Sequence, residues 1–238
     1  MKIDIITLFP QMLDSFFNSS IIKRAIDKNL VSVNFINPRE FATDKHNTTD
    51  DRPFGGGPGM IMKPEPLFLA VESIRTDKSL TILLSPSGLP FKQKEAEKIV
   101  SSNEHLIMIC GHYEGVDERV IDSIVDIEFS IGDYILTNGA LASAVISDAI
   151  IRLIPGVLGA GEKGIKDESF STGKLDYPQY TKPVKFRNMD VPEILLCGNH
   201  ELINEWRRKK SIEKTTKNRP DLMSDDKKMI KTTLDHNN

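Results

Sequence analysis

The sequence predicts an α/β fold built around a largely parallel sheet, and two features of the chain support this interpretation. Short apolar runs alternate with segments of helical periodicity from Ile3 to Leu153. Several of these runs are apolar at almost every position, as in Leu80–Leu84 and Leu106–Cys110. Strands of a parallel sheet are covered by helices on both faces, and such continuous apolar runs are typical of them.

The predicted elements follow one another in order along this part of the chain. A mostly apolar run ended by Pro10 predicts the first strand, and alternating apolar residues predict the second. The predicted strands are Ile3–Phe9, Val31–Ile36, Leu80–Leu84, Leu106–Cys110, Ile124–Phe129 and Tyr134–Leu136. Apolar residues spaced three or four apart predict the helices. These helices are Met12–Phe17, Ile21–Ile26, Pro64–Ser73, Phe91–Val100, Asp117–Ser123 and Ala140–Leu153.

A change of composition near residue 160 divides the chain into two predicted domains. Residues 160–174 are rich in Gly, Lys, Glu and Ser, as expected of a flexible inter-domain linker. We therefore expect a first domain over residues 1–159 and a smaller, mainly helical domain over residues 175–238. In the latter, the apolar run Ile194–Cys197 precedes a helical pattern over Asn199–Leu234.

Composition and charge restrict the classes of protein to consider. The 238 residues carry a formal net charge of −3, so a nucleic acid is expected to bind only a local basic surface. The absence of a signal peptide and of an apolar run near the ~20 residues of a membrane helix predicts a cytoplasmic protein without membrane contact. Cys110 and Cys197 lack CxxC spacing and are expected to be buried free thiols. The histidines show no metal-binding spacing, so no metal site is predicted.

Three loops rich in glycine follow predicted strands. They are Ser85–Gly88, Gly111–Gly115 and Ser130–Gly139. Ligands of open α/β sheets bind beyond the carboxyl ends of the strands, and glycine lets backbone groups approach a ligand closely. A single such loop is usually only a tight turn, but three together predict a small-molecule pocket.

Two further segments are expected to contact a substrate. The Asp50–Gly59 loop combines carboxylates, an arginine, an aromatic ring and a glycine-proline run, which suits a planar ligand, and we expect Asp50, Arg52 and Gly57 to bind it. The run Trp206–Lys210 carries Arg207, Arg208 and Lys209 beside the only tryptophan of the chain. Basic residues near an aromatic ring suit contact with phosphates and bases of a nucleic acid.

Taken together, these segments resemble the bacterial tRNA (guanine-N1)-methyltransferase family (TrmD), a branch of the trefoil-knotted SPOUT methyltransferases. The two most specific strings are Asp50–Met60 and Gly111–Arg119. The others are Thr7–Pro10, Asn37–Arg39, Asp44–His46, Leu84–Pro86, Ser130–Thr137, Arg152, Ile154–Leu158, Glu168–Phe170 and Tyr177–Thr181.

The resemblance implies a deep trefoil knot in the first domain, with S-adenosylmethionine held in the knot mainly by backbone groups. It implies a homodimer whose active sites are each built from both subunits, and a second domain that grips the anticodon stem-loop of tRNA. The implied substrate is the guanine at position 37, directly 3′ of the anticodon. A knotted methyltransferase that acts on a different RNA position remains the alternative.

The family pattern also assigns roles to particular residues. The implied donor-site residues are Ser85, Pro86, Gly111, Tyr113, Glu114, Gly115, Ile131, Gly132, Asp133, Tyr134, Ile135, Leu136 and Gly139. A carboxylate is expected to take the proton of guanine N1, and Arg152 to stabilise negative charge on O6 or to hold a phosphate. The family has an aspartate directly before Ser-Phe, whereas this chain has Glu168 there and Asp167 one position earlier. Glu168 is the expected base and Asp167 the alternative.

Two other functional classes fit the sequence less well. The string Gly159–Gly164 spells GxGxxG, but a helix and a Pro-Gly turn precede it where a dinucleotide site needs a strand. This argues against a nucleotide-dependent oxidoreductase. A non-catalytic RNA-binding protein leaves the three strand-end loops and the Asp50–Met60 loop without a role. Neither alternative requires binding of S-adenosylmethionine.

Overall fold

The computed structural model describes residues 1–159 and 168–223. The chain divides into two compact units, Met1–Gly161 and Glu162–Asn238. Among the described residues, no helix is both long and apolar enough to cross a membrane.

The first unit is organised around a five-stranded sheet in which every neighbouring pair is parallel. The five strands of this sheet are β1 (Lys2–Ile6), β2 (Ser32–Ile36), β5 (Ser79–Pro90), β6 (His105–Cys110) and β7 (Ile127–Ser130). A separate antiparallel pair consists of β3 (Asp50–Asp51) and β4 (Ile61–Met62). The order across the sheet is β2-β1-β6-β5-β7. The predicted α/β class with a largely parallel sheet is confirmed.

Helices cover both faces of this sheet. They are α1 (Asp14–Phe17), α2 (Ser20–Asp27), α3 (Pro64–Glu72), α4 (Gln93–Ser102), α5 (Glu118–Ile124) and α6 (Ala140–Ile151). The central strand β6 is buried at every position: Leu106, Met108 and Cys110 join one core cluster, and Ile107 and Ile109 join the other. Because successive side chains of a strand point to opposite faces, two-sided burial accounts for the continuous apolar run.

Three predictions about local structure are wrong. Strand β5 does not end at Leu84 but continues to Pro90, because its pairing with β7 resumes at Leu89 after a register shift. Tyr134–Leu136 is not a strand, since Tyr134 N donates to Gly132 O at 2.9 Å in a tight turn and the segment joins no ladder. The thiol of Cys110 is buried as expected, whereas Cys197 is exposed.

The described part of the second unit contains a 19-residue helix, α7 (His200–Asn218), and a hairpin of β8 (Lys185–Phe186) and β9 (Met189–Asp190). The Asn199 side chain caps α7 by accepting from the amides of Glu201 and Leu202. The helix ends before Pro220, which cannot continue a helical hydrogen-bond pattern. The sequence predicts a helical pattern from Asn199 to Leu234, of which residues 224–238 lie outside the described part.

Candidate functional site

A cavity of about 630 Å³ opens at the carboxyl ends of β6 and β7 and at the register shift of β5, where the three glycine-rich segments meet. We call it the strand-end cavity. Of the implied donor-site residues, all except Asp133 line it, namely Ser85, Pro86, Gly111, Tyr113, Glu114, Gly115, Ile131, Gly132, Tyr134, Ile135, Leu136 and Gly139. Asp133 is exposed on the same loop without lining the cavity.

Direct backbone contact joins the loops that follow β6 and β7. Gly139 N donates to Gly111 O at 2.8 Å, and a Cβ on Gly139 would lie 2.8 Å from the Cα of Cys110. That separation is shorter than real Cβ contacts, so only glycine fits there without a shift of backbone. Gly139 precedes α6, and the amide of Ala140 is satisfied by Asn138 Oδ1 at 2.8 Å.

The loop after Leu84 is also held by a close backbone approach. A Cβ on Gly88 would lie 2.6 Å from the backbone carbon of Glu128 and from the amide nitrogen of Phe129. The Ser85 hydroxyl accepts the amide of Ser87 at 3.1 Å within this loop. The bulge in β5 therefore sets Ser85 and Pro86 into the cavity wall.

His112 also lines the strand-end cavity, although the sequence alone predicts no role for it. Its Nδ1 lies 2.9 Å from Thr137 O. A carbonyl oxygen only accepts, so Nδ1 carries the proton and donates. The ring also packs edge-on against Phe9 at 5.0 Å and lies 4.0 Å from the Tyr113 ring. His112 thus ties the β6 loop to the β7 loop; its position directly after the first glycine of a strand-end loop was the available signal.

The Asp50–Gly59 loop reaches the same region through Tyr113 and Glu114. Glu114 N donates to Met60 O at 3.0 Å, and a Cβ on Gly59 would collide with the Glu114 side chain. Burial and the nearby Asp50 carboxylate raise the pKa of the Tyr113 phenol, although the Arg39 guanidinium acts in the opposite direction. Tyr113 is therefore neutral at physiological pH and close to charges of both signs.

The other predicted substrate residues of the first unit differ in exposure. Asp50 is half-buried, whereas Arg52 and Gly57 are exposed towards the tip of the loop. Phe54 at the tip is fully exposed, with a relative accessibility of 101%. Arg152 caps the carboxyl end of α6 and is half-buried.

The predicted residues of the second unit lie around a separate cavity of about 600 Å³, which we call the α7 cavity. Glu168, Arg207 and Arg208 line it, but Lys209 does not. Glu168 is half-buried, and its carbonyl accepts the Ser171 hydroxyl at 2.7 Å. The alternative base, Asp167, lies outside the described residues. No group of three or more potential metal ligands occurs within residues 1–159 and 168–223.

Comparison with known proteins assigns the chain to a family. The sequence profile described as tRNA (guanine-1)-methyltransferase TrmD matches residues 1–225. A tRNA (guanine-N(1)-)-methyltransferase of Moorella thermoacetica is 53% identical over 228 residues, which cover 94% of this chain and 90% of that protein. One of Staphylococcus haemolyticus is 51% identical over 239 residues, covering 98% and 97%. One of Carboxydothermus hydrogenoformans is 55% identical over 223 residues, covering 94% and 87%. The chain therefore belongs to the tRNA (guanine-1)-methyltransferase family.

Proposed function

We propose that this protein transfers a methyl group from S-adenosylmethionine to N1 of guanine 37 in tRNA. The observation that supports this most is the strand-end cavity, because residues of the family segments Leu84–Pro86, Gly111–Arg119 and Ser130–Thr137 line it together. The relatives named as tRNA (guanine-N(1)-)-methyltransferases share about half of their residues with this chain over nearly its full length. A tRNA substrate also implies a cytoplasmic protein.

The strand-end cavity suits S-adenosylmethionine in size and in chemistry. Its volume of about 630 Å³ lies within the range of ~300–1,000 Å³ found for small-molecule sites. Gly111, Gly115 and Gly139 leave backbone N–H and C=O groups accessible to the polar parts of the donor, while Ile131 and Leu136 offer apolar contacts. The bound donor supplies a methyl group that its sulfonium already activates, so alignment of donor and acceptor is the main task of the cavity.

The acceptor needs a base, because guanine N1 carries a proton and is a weak nucleophile until it loses it. We assign this proton to Glu168, with Asp167 as the alternative. With the donor bound, transfer of its methyl group to N1 would leave the electron pair of the broken bond on a neutral sulfur, and Glu168 would hold the proton released from N1. Arg152 stabilises the negative charge that develops on guanine O6, or holds a phosphate of the substrate.

The two domains and the linker between them are proposed to have different roles. Residues 1–159 form the knotted donor-binding domain, residues 160–174 the linker, and residues 175–238 the mainly helical domain that grips the anticodon stem-loop. The all-parallel sheet with helices on both faces is compatible with a knotted fold of this family. Asp50, Arg52 and Gly57 of the first unit, and Arg207, Arg208 and Lys209 of the second, are assigned to the RNA.

A homodimer with shared active sites is also part of the proposal, and α6 supports it. This helix is otherwise largely buried, yet Leu141 and Val145, one turn apart on one face, are 49% and 51% exposed. Met12 is a further exposed apolar residue, and the Asn138 amide just before α6 lies 3.5 Å from its sulfur. An apolar patch on the helix that follows the donor loop suits a partner subunit.

Methyl transfer from labelled S-adenosylmethionine to an unmodified tRNA transcript with guanines at positions 36 and 37 tests the function. We expect 1-methylguanine in this transcript and no label when position 37 is adenine. If the protein binds the donor but methylates another nucleotide, it is a knotted methyltransferase that acts on a different RNA position. No binding of the donor would refute the proposal.

A further inference from the structure

The α7 cavity contains an arginine, Arg207, whose Nε–H group has no hydrogen-bond partner among the described residues. The guanidinium of Arg207 lies over the Tyr177 ring, with 4.7 Å between its carbon and the ring centroid. Its Nε is shielded from solvent and has no hydrogen-bond partner among the described residues. A buried donor of a charged group is costly to leave unpaired, and an arginine presents five N–H donors in a rigid fork.

The carboxylates that line the cavity are not hydrogen-bond partners of Arg207 Nε. Two line it, Glu168 and Asp176. Asp176 accepts hydrogen bonds from Lys214 Nζ at 2.8 Å and from the Ser169 hydroxyl at 3.2 Å, and the first of these lowers the pKa of its carboxyl. Glu168 lies in the same lining, and Arg207 Nε donates to neither carboxylate, since it has no hydrogen bond among the described residues. An anionic ligand is therefore a suitable partner for the Nε–H group of Arg207.

The ring beneath Arg207 is held without the help of the arginine. Leu175 N donates to Thr215 Oγ1 at 3.0 Å, and the Ser211 hydroxyl donates to Leu175 O. These two hydrogen bonds hold the segment before Tyr177 against α7. Tyr177 can thus orient the guanidinium from one face, while Nε has no hydrogen-bond partner among the described residues.

We propose that Arg207, positioned by Tyr177, binds one phosphate group of the RNA backbone in the α7 cavity. A guanidinium edge donates two parallel hydrogen bonds to phosphate oxygens. Arg208 also lines the cavity and Lys209 follows it on α7, which extends the positive surface as a polyanion requires. Because Glu168 lies in the same lining, a phosphate held at Arg207 fixes the RNA strand relative to that carboxylate. This inference rests on the proposed function and names one contact within it.

Binding of a fluorescent anticodon stem-loop, measured by anisotropy from 50 to 300 mM KCl, tests the contact. Loss of one phosphate contact reduces the slope of log affinity against log salt by about 0.7–0.9. We expect Arg207→Gln to show this reduction and to bind about tenfold more weakly at low salt. Arg207→Lys is expected to recover the slope but not the full affinity, since it keeps the charge and loses the fork.

Arg187→Gln is the matched control, because Arg187 also lies over an aromatic ring, Phe186, at 5.3 Å but is outside the α7 cavity. An unchanged salt slope in Arg207→Gln, with or without weaker binding, would overturn the inference, as would an equal change in Arg187→Gln. The methylation assay of the unaltered protein keeps the two proposals apart. A slope change specific to Arg207 in a protein that does not methylate guanine 37 would preserve the phosphate site and refute the function.

Discussion

Gly139 lies against Cys110 so closely that a Cβ on Gly139 would be 2.8 Å from the Cα of Cys110 and 3.1 Å from the amide nitrogen of Gly111. The atoms in the way are backbone atoms, which cannot rotate aside. We predict that Gly139→Ala separates the two loops of the strand-end cavity and weakens donor binding by about fivefold or more, since overpacking costs about 1–3 kcal/mol. Calorimetric titration with S-adenosylmethionine measures the effect.

Gly159→Ala is the control for this substitution. A Cβ at Gly159 would meet nothing within 4 Å, and Gly159 does not have a left-handed backbone. Its donor affinity should match that of the unaltered protein. Equal affinities for all three proteins would show that the contact of Gly139 with Cys110 does not shape the donor site.

His112 is predicted to hold the donor loops together through its hydrogen bond to Thr137 O. His112→Phe keeps an aromatic ring against Phe9 and Tyr113 but removes the Nδ1 donor. Loss of one hydrogen bond, worth about 0.5–1.5 kcal/mol, should weaken donor binding by roughly two- to tenfold. The same titration on His46→Phe, which alters an exposed histidine in another loop, should show no change. Unaltered binding by His112→Phe would mean that the loops keep their arrangement without this bond.

The substitution Glu168→Gln tests whether Glu168 acts as the base or only binds the substrate. The amide has nearly the shape of the carboxylate but cannot accept a proton from guanine N1, so we predict a loss of kcat of about 10²–10⁴-fold with unchanged donor affinity. Single-turnover methylation of the guanine 37 transcript measures it. Glu205→Gln, an exposed residue of α7, serves as control. A normal rate for Glu168→Gln together with an inactive Asp167→Asn would assign the base to the neighbouring residue.

The exposed apolar face of α6 predicts self-association. The side chains of Leu141 and Val145 are 49% and 51% exposed. The double substitution Leu141→Lys and Val145→Lys replaces them with two charged groups, and burying these charges at an interface is costly. We expect sedimentation velocity to show a dimer for the unaltered protein and a monomer for the double variant. Glu97→Lys, an exposed position of α4, should leave the dimer intact. A dimeric double variant would exclude this face as the interface.

Much of the strand-end cavity follows from local sequence pattern. Apolar runs mark the strands, and the parallel arrangement brings their carboxyl ends to one edge, so Gly111 and Gly139 were predictable as neighbours of a ligand. The order of the strands was not, because β1 pairs with β6 across about a hundred residues and no local pattern encodes that choice. The extension of β5 was missed since Pro86 and Gly88 have the composition of a turn.

The finer chemistry of the two cavities depends on contacts between distant segments. The bond from His112 to Thr137 spans 25 residues, and Arg207 meets Tyr177 from another element. Spacing along the chain gives no information on either pair. The direction of a single side chain is equally hidden: Asp133 and Tyr134 are adjacent in a glycine-rich loop, yet only Tyr134 lines the cavity.

A buried carboxylate on β1, between β2 and β6, predicts how stability depends on pH. Asp4 is 1% exposed and lies 2.7 Å from His105 Nε2, Lys2 Nζ and Asn34 Nδ2. Burial alone would raise the pKa of Asp4, but the hydrogen bonds from Lys2, Asn34 and His105 outweigh it and hold the pKa below its ordinary value. A carboxyl group with a depressed folded-state pKa stabilises the protein above its unfolded pKa of about 3.9. That stabilisation is lost as the pH falls through the folded pKa.

Asp4→Asn is therefore expected to lower the free energy of unfolding by about 3 kcal/mol at pH 7, because it leaves the partners of a buried charge unsatisfied. The difference from the unaltered protein should shrink as the pH falls below about 4, where Asp4 itself becomes protonated. Urea unfolding followed by circular dichroism between pH 2.5 and 7 measures both effects. Asp27→Asn removes an exposed carboxylate that pairs with Lys23 and should change stability little at any pH. A constant difference for Asp4→Asn across the whole range would mean that the residue contributes by packing rather than by its charge.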